Sequence, residues 1–298
     1  MSNKVCRYTS DYGKIKWAIK VFLLVALLVG VDGVWQRFMG VDFIRQRNLI
    51  DITNGLVGIT ASFQHYNDFG SYLVFLLSFI SALLLTKMKY KKILYFLLIL
   101  LGACLLLTFS RGSWLGLAAS LLMMSSLSVK RRKFYHLALI FVILVFLTPG
   151  IKQRFLFSFG PAGDAGRLEV WKGTWQMITE NPFLGKGIGT YMIYFPNYIS
   201  ERIIIQYAHN CYLQIWAETG LFSLLSFLLF MGVVIYRGIM VFKKSSDSIV
   251  LGLICGIFGF LVHSFFDTQL YSLQLATLFW LSTGLLVAQS RISTPRLE

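Results

Sequence analysis

Long apolar runs divided by short polar breaks dominate this chain. They fall at 17–37, 69–86, 92–109, 113–128, 134–149, 219–237, 248–266 and 272–289. Each approaches or exceeds the roughly 18 to 20 residues that a helix needs to cross hydrocarbon, so the pattern predicts about eight transmembrane helices. The runs at 113–128 and 134–149 are the shortest, and either could be a buried or tilted piece. The expected fold class is therefore an all-α integral membrane protein. It divides into an N-terminal membrane bundle (1–149), a large outer loop (150–208) and C-terminal membrane helices (209–298).

Composition agrees: 56% of residues are hydrophobic and 14% charged, against about 45–50% and about 25% in soluble domains. The net charge of +15 would suit nucleic acid or an anionic surface, but its distribution gives another reason. The stretches 1–16 with Lys20, 87–92, 130–133, 237–247 and 290–298 hold 18 of the 28 Lys and Arg and only 3 of the 13 acids. That is the positive-inside pattern, with both termini cytoplasmic and no nucleic-acid partner implied. Four scattered cysteines without paired spacing read as small buried hydrophobes. The first apolar run is too long for a signal peptide and has no small-residue cleavage site.

Two outer connections are long, 38–66 and 150–208. No cytoplasmic connection is long enough for a catalytic domain, so any chemistry faces outward. Within the larger loop, "GDAGRLEVWKGTWQMITENP" predicts an amphipathic helix capped by Asp164 and ended by Asn181-Pro182. Arg167, Trp171, Trp175 and Ile178 share one face and Glu169, Lys172, Gln176 and Glu180 the other, as expected of a helix on the outer membrane surface. The following "NPFLGKGIGTY" lacks the order of a phosphate loop and reads as a turn-rich return.

Three residues stand out chemically. Arg111, in "LTFSRGSWLG", falls between apolar runs with no loop to hold it; it either snorkels to the interface or binds a buried anion. Arg167 falls in the first turn of its helix, where a cation opposes the helix dipole unless an anion is bound; nearby Gly160, Gly163 and Gly166 permit close approach, and a plain surface arginine is the alternative. In "YAHNCYLQIWAETG", a helix beginning near His209 puts Asn210, Gln214 and Glu218 on one polar stripe and His209 on a neighbouring face with Gly220. His209 is either a satisfied structural group or a proton acceptor at neutral pH. His65 with Asp68 and His263 with Asp267 are weaker pairs that capping and interhelical bonds would explain. Asp32 reads as structural or cavity-lining, and His209 with Cys211 makes a poor zinc pair.

Taken in order, "TFSRGSWLGL", "GRLEVWKGTWQMITENPFLGKGIGTY" and "HNCYLQIWAETGLFSLL" resemble the O-antigen ligase and O-antigen polymerase (Wzy-type) superfamily, and "ASFQHYNDFGSYL" is similar to its segment before the Ser-Arg motif. The resemblance covers about residues 17–289. It implies a GT-C-like glycosyltransferase of the bacterial cytoplasmic membrane. Such an enzyme moves glycan from a polyprenyl diphosphate, usually undecaprenyl diphosphate, to a hydroxyl acceptor, with no metal and no cofactor. Carried over by motif, Arg111 and Arg167 would grip the diphosphate and His209 would act as, or orient, the base. Asn210, Gln214 and Glu218 would line the substrate site. Family members usually have several helices before the part where this chain begins, so a truncated, split or minimal member is expected. The competing class is a non-catalytic carrier or permease for an anionic, lipid-linked substrate.

Overall fold

The computed structural model describes residues 2–53, 55–86, 91–128, 131–157, 166–199 and 205–293. Its helices follow the apolar runs: α1 (Ser2–Met39), α2 (Tyr66–Leu83), α3 (Lys91–Leu107), α4 (Arg111–Leu127) and α5 (Arg131–Leu147) precede the large loop. α9 (Cys211–Ser245), α10 (Ser248–His263) and α11 (Leu273–Ser293) follow it. Between them lie α6 (Ile151–Phe157), α7 (Gly166–Glu180) and the single turn α8 (Tyr191–Tyr194). Among the described residues, Trp17–Met39, Tyr66–Leu83 and Cys211–Ser245 are long and apolar enough to cross a membrane.

α2 is the hub. Almost every residue from Asn67 to Leu83 is buried, against α10 on one side and α3 and α4 on others. Glycines set the α2–α10 spacing: a Cβ at Gly252 or Gly256 would lie 2.8 Å from Phe79 or Phe75. Gly116 of α4 and Gly259 of α10 likewise face each other's carbonyl oxygens. Small residues let these backbones approach where apolar burial alone gives little preference for one partner. Ser120 then donates to Ser78 at 2.6 Å inside the contact.

The connection between α1 and α2 contains a hairpin that the helical reading did not anticipate. β1 (Ile50–Thr53) pairs antiparallel with β2 (Leu56–Gly58). The sequence signal is "IDITNGLVG", alternating residues around Asn-Gly, the pair most suited to a tight hairpin turn. α1 anchors this connection. Asp32 accepts from the Phe43 amide at 2.7 Å, and Gln36 accepts from the amides of Thr60 and Ala61. Asp32 thus has a structural role. Of the cysteines, Cys104, Cys211 and Cys255 are buried free thiols.

Candidate functional site

The chain breaks between α3 and α4 over only three residues, Thr108–Ser110, with Phe109 at φ 52°. This turn makes Arg111 the first residue of α4. Gly112 beside it admits the neighbouring turn, since a Cβ there would lie 2.6 Å from the His263 ring. Arg167 comes from the first turn of α7. Asp164, its expected cap, lies outside the described residues, as do Gly160 and Gly163. The structure brings the two arginines to the same cavity, about 500 Å³ in volume. Its wall continues along Trp114, Leu115 and Ala118 of α4 and Phe141, Val145 and Phe146 of α5, with Leu168, Trp171 and Phe266 closing it. Two cations thus line one cavity with an apolar groove running between α4 and α5.

α7 presents a different face to the protein from the one its Trp spacing suggests. Val170, Gly173, Thr174, Met177 and Ile178 are buried, roughly a quarter turn from the Arg167–Trp171–Trp175 line at 100° per residue. The polar face Glu169, Lys172, Gln176 and Glu180 stays outside as expected. α7 packs on α9 and on the turn after α8. That rotation leaves Leu168 and Trp171 available to the cavity, and Trp175 half exposed.

His209 precedes α9 with φ 48°, a strained conformation for a side chain with a Cβ. Its Nδ1 is 3.1 Å from Asp267 Oδ1, and Asp267 directly follows the cavity residue Phe266. The indole N–H of Trp171, another cavity residue, donates to Ala208 O at 3.0 Å. His209 is thus one residue from the carbonyl that Trp171 holds and is bonded to the residue after Phe266, next to the cavity lining without being part of it. Asp267 also accepts from Asn67 and from the Thr268 amide. Burial pushes its carboxyl up. The His209 hydrogen bond and the charges of His209, Arg167 and His65 outweigh burial and hold it well below the usual carboxylate range. An ionised Asp267 accepts a hydrogen bond from Nδ1–H of His209, the tautomer in which Nε2 carries the free lone pair.

The other polar residues of the stretch face inward. Asn210 caps α9, accepting from Tyr212 and Leu213 amides. Gln214 accepts from the Ala208 amide and donates to Glu218. Glu218 accepts from the Tyr191 amide and the Tyr271 hydroxyl. This buried stripe holds the His209 segment to α8 and to the turn before α11. Gly220 interrupts α9 at φ 81°, ψ 174°. The backbone groups freed by the break are taken by the "PFLGKG" segment: Lys186 N donates to Ala217 O, Gly187 N to Glu218 O, and Leu221 N to Pro182 O. A Cβ at Gly220 would be 2.0 Å from Phe183 O.

His65 caps α2, its Nδ1 accepting from the Asn67 amide. Burial lowers its pKa; Asp267 opposes this, while His209, Arg167 and Arg154 reinforce it. Buried His263 meets Ser71 at 2.6 Å. Arg154 of α6, not singled out in the sequence, is a further buried cation at this end, donating from Nε to Phe109 O at 3.0 Å. Its only sequence signal is a basic residue in the short apolar stretch "IKQRFLF".

Fold and site together define a helical membrane protein in which two arginines line one apolar cavity and a histidine–aspartate pair lies next to it. Residues 96–228, from α3 into α9, match the family model described as O-antigen ligase, which supports membership of that family. The match supports a ligase- or polymerase-type role in polysaccharide biosynthesis. Comparison with curated proteins finds no match.

Proposed function

We propose that the chain transfers or polymerises glycan from a polyprenyl diphosphate carrier onto a hydroxyl acceptor at the outer face of the bacterial cytoplasmic membrane. In this reading α1–α5 and α9–α11 cross the bilayer, with both termini cytoplasmic. The carrying observation is the shared cavity, in which Arg111 and Arg167 line an apolar groove. That arrangement fits an amphiphile with an anionic head and a hydrocarbon tail.

The acceptor oxygen bonds to the sugar's anomeric carbon as the bond from that carbon to the diphosphate oxygen breaks. The bonding electron pair leaves with the diphosphate, whose charge the two guanidiniums neutralise. The hydroxyl proton passes to His209 Nε2, and Asp267 stabilises the resulting imidazolium. Asn210, Gln214 and Glu218 position this machinery. The test is reconstitution with a lipid-linked glycan and a hydroxyl acceptor. Formation of a new glycosidic bond by the wild type, lost in Arg111→Ala, Arg167→Ala and His209→Ala proteins that remain in the membrane, is the expected result. Movement of the lipid-linked substrate across vesicles without a new bond would assign the chain to the carriers instead.

A further inference from the structure

A second cavity, about 670 Å³, lies on the other side of α5 from the arginine cavity. It exists because α5 packs on α4 and α6, whereas α3 packs mainly on α1 and α2, leaving a slot between α3 and α5 floored by α2 and α4. Ile99 and Gly102 of α3, Leu137 and Leu144 of α5, and Leu121 of α4 give it apolar walls for most of the bundle's height. Its polar side chains gather at one end. Lys133 and His136, near the start of α5, line it together with Tyr95, and Lys133 Nζ stands 5.9 Å from the Tyr95 ring centroid. Lys92 is three residues before Tyr95, on the same helical face and one turn further toward that end.

The polarity of this slot is opposite to that of the arginine cavity. There the cations stand at the outer ends of α4 and α7; here they stand at the ends of α3 and α5 that the charge distribution assigns to the cytoplasm. An occupant must place its tail between the helices and an anionic head at the inner surface. We propose that the α3–α5 slot is a binding site for an anionic glycerophospholipid of the cytoplasmic leaflet, held by its acyl chain in the slot and its headgroup phosphate on Lys133. The assignment of leaflet rests on the orientation proposed above; binding itself does not depend on it.

Native mass spectrometry of the detergent-purified full chain tests this, using phosphatidylglycerol and phosphatidylcholine with identical acyl chains. Wild type should retain phosphatidylglycerol preferentially. Lys133→Glu should weaken that retention about fivefold or more, since one interfacial lysine contributes about that factor toward an anionic headgroup. Gly102→Trp should abolish retention of both lipids by filling the slot. A Cβ at Gly102 meets nothing within 4 Å, so this variant is expected to fold, and Lys133→Glu provides an independent reading. Equal retention of both lipids by wild type, or unchanged retention in Gly102→Trp, overturns the proposal. Retention of a polyprenyl phosphate in place of phosphatidylglycerol by wild type, lost in Gly102→Trp, would assign the slot to the substrate's tail and also overturn it. Transfer activity enters none of these readouts, so the two proposals fail separately.

Discussion

The His209 imidazole and the Asp267 carboxylate lie 3.1 Å apart although 58 residues separate them in the chain. Their exposures differ usefully: 41% of the His209 side chain is accessible and 13% of Asp267. The aspartate is the fixed member, tied to Asn67 on α2, while the histidine lies next to the cavity lining. Asn67 in turn accepts from Ser110, the residue before Arg111. One hydrogen-bonded chain thus connects His209 to the start of the arginine helix.

Asp267→Asn should lower kcat sharply with little change in KM, because an amide neither fixes the Nδ1–H tautomer nor stabilises an imidazolium. Removing a general base costs about 10²- to 10⁴-fold, and His209→Ala should fall in that range. The double variant should be no slower than His209→Ala alone. Losses that multiply in reconstituted transfer assays would show that the two residues act independently.

Charge and shape separate at the arginines. Charge-assisted hydrogen bonds contribute about 1.5–3 kcal/mol each, so Arg111→Ala or Arg167→Ala should reduce kcat/KM about 10- to 150-fold. Lysine keeps the charge and loses the planar fork, and should restore only part of this. Full activity in both lysine variants would remove the bidentate grip from the mechanism.

Gly220→Ala should fail to assemble normally. Its backbone lies at φ 81°, and the new Cβ would collide with Phe183 O. Strain of this kind costs about 1–3 kcal/mol before any clash. Gly232→Ala, where a Cβ meets nothing within 4 Å, is the matched control. Thermal unfolding in detergent should separate them clearly, and equal midpoints would refute the inserted-loop account.

His65 supplies a pH signature. Its pKa in the folded protein is lowered from 6.5, so as pH falls through that value the unfolded chain takes up the proton first. The contribution of His65 to stability is therefore fully present above about pH 6.5 and is lost as pH falls below it. Asp267, shifted down from 3.8, adds nothing to the slope in this window. His65→Asn keeps a capping acceptor and removes the titration, so its unfolding midpoint should rise relative to wild type as pH falls from about 7 to about 5.

Much of the helix pattern was legible because hydrocarbon crossing forces long apolar runs and charged ends. Arg111 was legible because no loop was available to carry it. The rotation of α7 was not, since tryptophan periodicity marks an apolar stripe without saying whether protein or lipid meets it. The hairpin at 50–58 carries an Asn-Gly signal, but its strands are too short to stand out among long apolar runs. Asp267 looked like an ordinary helix-end carboxylate, and only the fold brings it against His209. The inward wiring of Gln214 and Glu218 likewise depends on α8 and Tyr271, far from them in sequence.

The break at Gly220 has a mechanical corollary. Arg111 is built into α4, whereas Arg167 rides on α7, which is seated on α9 beside the inserted 182–187 segment. The two guanidiniums are thus carried by different elements, one by α4 and one by α7 seated on α9, so the gap between them depends on where α9 is held.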